Sequence, residues 1–313
     1  MKVAVTGASG FVGRQVVAHL DQAGLPVVLL RHGTSTDRPI RESRRLPRPD
    51  EPDDEFATAL AGVSAIVHCA GLTNAAADTP EAAYFQANAQ LTERLALAAE
   101  RSGSKRFILL SSIRAVAAAG FDGTITPDMT PAPDDSYGRS KLAGEQAAER
   151  AFAAQPGQLT VLRLPPVYGA GMKGNLQRLM RLADTPFPLP LGGVEARRSL
   201  VGAQSVGEIA AALLTRPPTR RTIYLIGDRE PATLWQILGA FRDGLGRPRR
   251  LPAIPGQVFA ALAGASSGIR ALSVNQICDV GALTEDGLPV RTESTAGLRK
   301  AAEAWVSAGR PKS

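Results

Sequence analysis

The sequence predicts an α/β protein in which a doubly wound parallel sheet is followed by a smaller C-terminal α+β lobe. Three observations carry this reading. Short apolar runs alternate with longer amphipathic stretches through the first half, as parallel strands joined by crossover helices do. A glycine-rich turn stands between the first apolar run and the first amphipathic stretch. After about residue 165 the alternation loosens and prolines cluster at Pro165-Pro166, Pro186–Pro190, Pro217-Pro218 and Pro248–Pro255. The chain therefore divides into 1–165, holding the sheet, and 166–313, mainly the lobe, with some segments expected to return to the sheet.

The expected strands are Lys2–Thr6, Val27–Arg31, Ala65–His68, Arg106–Ser111 and Leu159–Leu164. Between them, Phe11–Ala23 places Val12, Val16, Val17 and Leu20 on one helical face, and Ala82–Arg101 is an Ala- and Leu-rich helix. Further helices are expected at Ser205–Leu214, Thr233–Leu245 and Ala296–Val306. The Gly-, Pro- and Ser-rich segment 246–295 carries no assignable pattern.

Composition narrows the function classes. The chain has 313 residues, 44% apolar and 21% charged, globular values that disfavour disorder, and no apolar run approaches the roughly 18 residues of a membrane span. Cys69 and Cys278 can build neither a disulfide framework nor a metal-ligand cluster, so no metal is expected and a reducing cytoplasm fits. Met1-Lys2 leads straight into a strand, without the apolar region of a signal peptide. The net charge is +7, and six arginines lie between Arg31 and Arg48, a patch suited to an anionic ligand or nucleic acid. Aromatics are 5% of the chain and none interleaves this run, which argues against nucleic acid. Most of Arg38, Arg41, Arg44, Arg45 and Arg48 are expected in a mobile solvated loop.

Thr6-Gly7-Ala8-Ser9-Gly10-Phe11-Val12-Gly13 follows the first strand and opens the first helix. Gly7 permits the tight turn, Gly10 lets a pyrophosphate approach the backbone, Gly13 lets helix and strand pack closely, and the helix N-terminus offers N–H donors. That is a Rossmann-type dinucleotide site. A plain strand-to-helix glycine turn is the competing reading. The Gly-x-x-Gly-x-x-Gly spacing differs from the commoner Gly-x-Gly-x-x-Gly and points to a subset of such folds.

Tyr137-Gly138-Arg139-Ser140-Lys141 begins another helical stretch, and its Tyr and Lys, four apart, share one face. An ammonium beside a phenol favours the phenolate and makes a usable acid/base. Phe107–Ser112 is an apolar strand ending in two hydroxyls, at the edge where an open parallel sheet holds its ligands. A hydroxyl there can hold a substrate oxygen; ordinary strand-end capping is the alternative.

Together these segments resemble the extended short-chain dehydrogenase/reductase superfamily, in particular its NAD-dependent epimerase/dehydratase group acting on nucleotide sugars. The resemblance covers nearly the whole chain: TGASGFVG at 6–13, His68–Gly71, Asn88 leading to LALAAERSG, Ser111-Ser112, YGRSK at 137–141, LRLPPVYG at 162–169, GNLQRLM at 174–180, RRSLV at 197–201 and GLRKAAEAW at 297–305. It implies Tyr137 as acid/base, Lys141 holding the nicotinamide ribose and tuning Tyr137, and Ser112 hydrogen-bonding the reacting oxygen, with Ser111 as fallback. It implies pyrophosphate donors at Gly10, Phe11 and Val12. Cys69, Ala70 and Gly71 would line the cofactor path, Leu110 would join it, and Leu164, Pro165 and Val167 would pack near the nicotinamide. Cys69 then reads as a small apolar residue and His68 as a strand-end hydrogen bonder. Asn88 would organise the active-site helix beside the cofactor. Asn175 and Arg198 would hold the diphosphate of a nucleotide sugar, with Leu176 beside them, and a homodimer is implied.

The departures are as informative. Where NAD enzymes of the family carry an acid for the ribose 2′-hydroxyl, this chain has Arg31, which tips the expected cofactor from NAD to NADP, or to relaxed choice. Ile113-Arg114-Ala115-Val116 lacks the acidic pair of similar dehydratases and the Val-Tyr-Gly that commonly follows the hydroxyls, and Gln204 stands where many members have Asp. No second Cys, Lys or His is poised to deprotonate another sugar carbon. Transient oxidation at a secondary alcohol remains the simplest chemistry. The expected function is a nucleotide-sugar 4-epimerase-like enzyme; the alternatives are an NADP(H)-dependent reductase of a ketone or keto-sugar, and a non-catalytic nucleotide-binding protein, for which an activated phenol has no use.

Overall fold

Val3 and Val5 face one side of the first strand and Ala4 the other, and all three are buried, so this strand lies inside a sheet covered on both faces. The computed structural model describes residues 1–32, 41–73, 76, 78–155, 157–191, 193–219, 221–253 and 273–310. In chain order the strands are β1 (Val3–Thr6), β2 (Val27–Arg31), β3 (Ser43–Arg45), β4 (Ala65–His68), β5 (Arg106–Ser112), β6 (Gly123–Ile125), β7 (Leu159–Leu164), β8 (Val167–Tyr168), β9 (Arg197–Arg198), β10 (Val201–Gly202), β11 (Ile223–Leu225), β12 (Ala232–Thr233) and β13 (Gln276–Cys278). The helices are α1 (Phe11–Gln22), α2 (Asp53–Ala59), α3 (Glu81–Phe85), α4 (Leu91–Arg101), α5 (Ser136–Ala151), α6 (Asn175–Ala183), α7 (Ala203–Thr215), α8 (Leu234–Gly244), α9 (Gly281–Glu285) and α10 (Thr295–Ser307).

The main sheet is parallel throughout and runs β11-β7-β5-β4-β1-β2-β3. Its order reverses between β1 and β4, where doubly wound sheets open their ligand crevice. On one face Val16 and Leu20 of α1 pack with Val206 and Ile209 of α7. On the other, Phe56, Leu91, Leu95 and Phe152 cover the sheet from α2, α4 and the end of α5. The lobe has its own core, with Met180, Leu238, Phe241 and Leu298 joining α6, α8 and α10. Beside it lie a four-stranded sheet, β12-β9-β13-β6, and the pair β10-β8. Among the described residues no helix is long and apolar enough to cross a membrane.

The five expected strands are present, the fourth extended to Ser112. The two halves also exchange segments. From beyond residue 165, α7 packs on α1 and β11 joins the sheet edge, while β6, from before it, pairs with β13 in the lobe. The expected helix Ala82–Arg101 is corrected to α3, a π-helical turn at Gln86–Gln90 and α4. Part of the unassigned 246–295 forms β13 and α9.

The arginine run is solvated at Arg41, Arg45 and Arg48, as expected for most of it, but part of it is strand rather than loop. Arg38 lies outside the described residues. Arg44 and Arg45 belong to β3; Arg44 pairs with Glu42 at 2.6 Å, Arg45 with Glu51 at 2.7 Å and Glu55 at 2.8 Å, and Arg41 with Asp21. Neighbouring carboxylates, invisible to a count of arginines, pair with three of these six cations.

Candidate active site

Successive strand residues face opposite ways, so β5 ends with two hydroxyls in different surroundings. Ser112 Oγ accepts the Arg114 N–H at 3.2 Å and caps the short turn Ile113–Ala115. Ser111 donates instead to the buried carboxylate of Glu145 on α5. Asp135 caps α5 by accepting the Gly138 N–H at 2.6 Å. Arg114 ties turn to cap: its guanidinium donates to Asp134, to Asp135 at 2.8 Å and to the Ala117 carbonyl at 3.1 Å. Helix α5 crosses this turn closely, since a Cβ on Gly138 would lie 2.3 Å from the Arg114 carbonyl. This brings the Ser112 hydroxyl close enough to act on the Tyr137 phenol.

Burial pushes the Tyr137 phenol above its ordinary value, and the neighbouring Ser112 hydroxyl pulls it back. Asp135 and Tyr84 add to the rise; Tyr84 stands edge-on to Tyr137 with ring centroids 6.3 Å apart. The opposing cation is Arg114. Lys141, expected to tune the phenol, turns its Nζ to the Leu110 carbonyl at 2.7 Å. It is 6% exposed, and burial lowers its pKa to about 8 against the opposing charge of Glu145 one helical turn on.

A buried hydrogen-bond chain links the glycine-rich turn to this helix. Asn88, at the centre of the π turn, accepts the Leu72 N–H at 2.8 Å and donates to the Leu72 carbonyl at 3.0 Å and to Ser140 Oγ at 2.9 Å. Ser140 donates to the Tyr137 carbonyl at 2.8 Å. The Thr92 hydroxyl donates to the Asn88 carbonyl at 2.7 Å, so at its 3.0 Å contact with His68 it accepts, which puts the imidazole proton on Nε2. His68 Nδ1 then accepts from Thr6, 2.6 Å away, whose Oγ1 also takes the Ala70 N–H at 3.1 Å. Burial, then the charge of Lys141, lowers the His68 pKa to about 3, so the ring stays neutral. Burial likewise raises the Cys69 thiol to about 12, leaving no thiolate.

The glycine-rich turn fits a dinucleotide. Gly7 has φ +63°, and a Cβ there would lie 2.7 Å from the Ala70 nitrogen; on Gly13 it would lie 2.1 Å from the Gly7 carbonyl. Gly10 sits at the N-cap of α1 with no side-chain cap and no acid in the first turn, so the backbone donors at Phe11 and Val12 face an anion-attracting helix end. Gly71 lies between Asn88 Oδ1 and Lys141 Nζ, 2.7 and 3.8 Å from where its Cβ would be. Leu164 and Val167 are partly buried against the first core and Pro165 is buried. Arg31 ends β2 with its Nε buried and unpartnered.

The lobe residues separate. Arg198 on β9 is partly buried, with Nε and Nη2 unpartnered, and burial lowers its pKa. Asn175 is exposed at the first position of α6 and accepts from Arg178 at 3.4 Å. The Leu176 side chain, expected beside the substrate, is instead 5% exposed in the lobe core with Met172 and Met180. Sequence reasoning missed Arg114's bridging part and the buried pair of Arg163 with Glu145; the one available signal was the four-residue step from Lys141 to Glu145.

The model of the NAD dependent epimerase/dehydratase family matches residues 3–227. The UDP-glucose 4-epimerase of Vibrio cholerae is 27% identical over 323 residues, covering 98% of this chain and 96% of that one. The dTDP-6-deoxy-L-talose 4-dehydrogenase (NAD(P)(+)) of Kitasatospora kifunensis is 33% identical over 269 residues, 81% of this chain and 82% of its own. The solved UDP-glucuronic acid 4-epimerase from Bacillus cereus in complex with NAD shares the fold, with TM-score 0.73 at 19% identity over 98% of this chain and 99% of that one. With the open helix end after β1 and the serine, tyrosine and lysine at the sheet's carboxyl edge, these matches make the chain a member of the NAD dependent epimerase/dehydratase family, an enzyme of the extended short-chain dehydrogenase/reductase type.

Proposed function

We propose that the enzyme epimerises a nucleotide sugar at a carbon bearing a secondary hydroxyl, as a 4-epimerase does. The observation that carries this reading is the meeting of Ser112, at the end of β5, with Tyr137 at the start of α5 and Lys141 one helical turn along the same helix. A bound nicotinamide dinucleotide supplies a reversible hydride acceptor. Ser112 orients the sugar hydroxyl; Tyr137, once ionised, takes its proton as the C–H bond yields hydride, and returns the proton when hydride comes back to the other face of the ketone. Lys141 would donate to the ribose hydroxyls of that dinucleotide. The unpartnered guanidinium of Arg198 suits a diphosphate, because a planar fork left half-desolvated is stabilised by an anion. We expect the purified protein to convert one member of a panel of UDP- and dTDP-hexoses to its 4-epimer, seen by product chromatography with no net change in reduced nicotinamide. Stoichiometric NADPH consumption, or no turnover of any nucleotide sugar, rejects the epimerase.

A second reading, an NADP(H)-dependent reductase of a keto-sugar, is favoured by Arg31. Its buried, unpartnered Nε lies at the end of β2, where an acid would repel a 2′-phosphate. Arg31→Asp is expected to weaken NADP binding about 10- to 100-fold, the loss of one or two charge-assisted hydrogen bonds, and to leave NAD binding unchanged or tighter. Equal NADP affinity in the variant, measured by calorimetry, removes Arg31 from the cofactor site.

A further inference from the structure

Directly behind the serine, tyrosine and lysine lies an ion pair with no assigned part. Arg163 on β7 and Glu145 on α5 are almost fully buried, with side chains 4% and 2% exposed. Arg163 Nη2 donates to Oε2 at 2.8 Å and Nε reaches both carboxylate oxygens at 3.2 Å. Ser111 donates to Oε1, and Arg163 Nη1 reaches the Pro127 carbonyl at 3.3 Å. Burying two ions costs several kcal/mol each, and an apolar pair of similar volume often serves a core as well or better. Stability alone is therefore a poor reason for this pair.

Its placement suggests a better one. Lys141 and Glu145 are four apart on one helix face, and Lys141 is buried against a neutral carbonyl. We propose that Glu145, aligned by Arg163 and Ser111, is a positioning residue that supplies the buried negative charge keeping Lys141 an ammonium. As an ammonium, Lys141 has three donors, one spent on Leu110 and two left for a ligand's hydroxyls, and it places a positive charge one turn from Tyr137. As a neutral amine it would lose the charge and a donor.

The other groups around Lys141 do not replace Glu145. From the end of β4, His68 is neutral and Cys69 is a thiol. On α5, Tyr137 is a phenol held above its ordinary value and Glu149 is exposed. From β5 come Leu110 and Ser111, both uncharged, and from β7 only Arg163, a cation. Glu145 is the one buried anion among these groups.

The benefit to the enzyme rests on the cofactor-holding role proposed for Lys141, but the charge state can be read without substrate. The chain has six lysines, so a protein labelled with 13C at lysine Cε gives a resolvable spectrum in which Lys141→Arg identifies the signal. Glu145→Gln combined with Arg163→Met removes both charges at similar volume. In this double variant we expect the Lys141 titration midpoint to fall by about one pH unit or more, while Glu145→Asp keeps it within about 0.5 units. The alkaline limb of kcat/KM should move down with it. If the double variant fails to fold, Glu145→Gln alone is read in the same way. An unmoved midpoint, or equal movement in Glu145→Asp, overturns the proposal. A shifted midpoint in a protein that turns over no nucleotide sugar would leave it standing and sink the epimerase reading instead.

Discussion

Tyr137→Phe is expected to lower turnover by about 10²- to 10⁴-fold while leaving the fold intact, because it removes the only proton the proposed chemistry moves through the protein. That range corresponds to about 3–5 kcal/mol of barrier. The ring stays and keeps its edge-on contact with Tyr84. Ser112 keeps the Arg114 N–H as donor, so the stability change stays within about 1 kcal/mol. The pH profile gives a second signature. Burial holds the phenol above its ordinary value, so at neutral pH Tyr137 is protonated and ready to donate, whereas accepting a proton requires it first to ionise. Alcohol oxidation by the wild type should therefore climb with pH until Lys141 begins to lose its proton, carbonyl reduction should stay flat through neutrality, and the residual rate of the Phe variant should lose the climb. Turnover within threefold of wild type in a folded Phe variant rejects Tyr137 as the acid/base.

Why part of this was legible from sequence is a matter of range. The five strands first expected are runs buried on both faces, and continuous apolarity marks them without reference to the rest of the chain. Strand β3 reads Ser-Arg-Arg and exists because its backbone pairs with Leu29–Arg31 at the sheet edge; nothing in its side chains announces it. Strand β11 is three residues long and declares itself only when β7 offers a partner. The π turn is invisible to periodicity because Gln86–Gln90 would suit an α-helix equally well. It is recognised only once Gly144 of α5 comes so close that a Cβ would lie 2.3 Å from the Asn88 carbonyl.

The candidate site divides the same way. Tyr137 and Lys141 form a local pattern on one helix face, and Ser112 ends a strand, so each could be proposed from neighbours in sequence. Arg114 depends on Asp134 and Asp135 about twenty residues on, and Arg163 on Glu145 eighteen residues back. Leu176 shows the converse error: a motif match set it beside the substrate, but its side chain belongs to the lobe core.

Asn88→Ala should damage both stability and turnover. The amide is 1% exposed and makes three hydrogen bonds, two to the backbone of Leu72 and one to Ser140. Alanine leaves the Leu72 N–H and carbonyl without their partner; at about 1–3 kcal/mol for each stranded group the loss is about 2–6 kcal/mol. For a chain of this size that lowers the melting temperature by roughly 3–9 °C. Function should suffer beyond stability, because the same amide fixes the strand exit at Ala70–Leu72 against the helix bearing Tyr137, and misplacing a reacting group by about 1 Å costs on the order of 10²-fold. Asn88→Asp separates the two effects: its carboxylate still accepts the Leu72 N–H but donates neither to the Leu72 carbonyl nor to Ser140. It should fall between wild type and alanine in melting temperature while losing nearly as much turnover, since Ser140 is the link to the Tyr137 carbonyl. If Asn88→Ala melts within 2 °C of wild type, this chain of hydrogen bonds does not hold the site together.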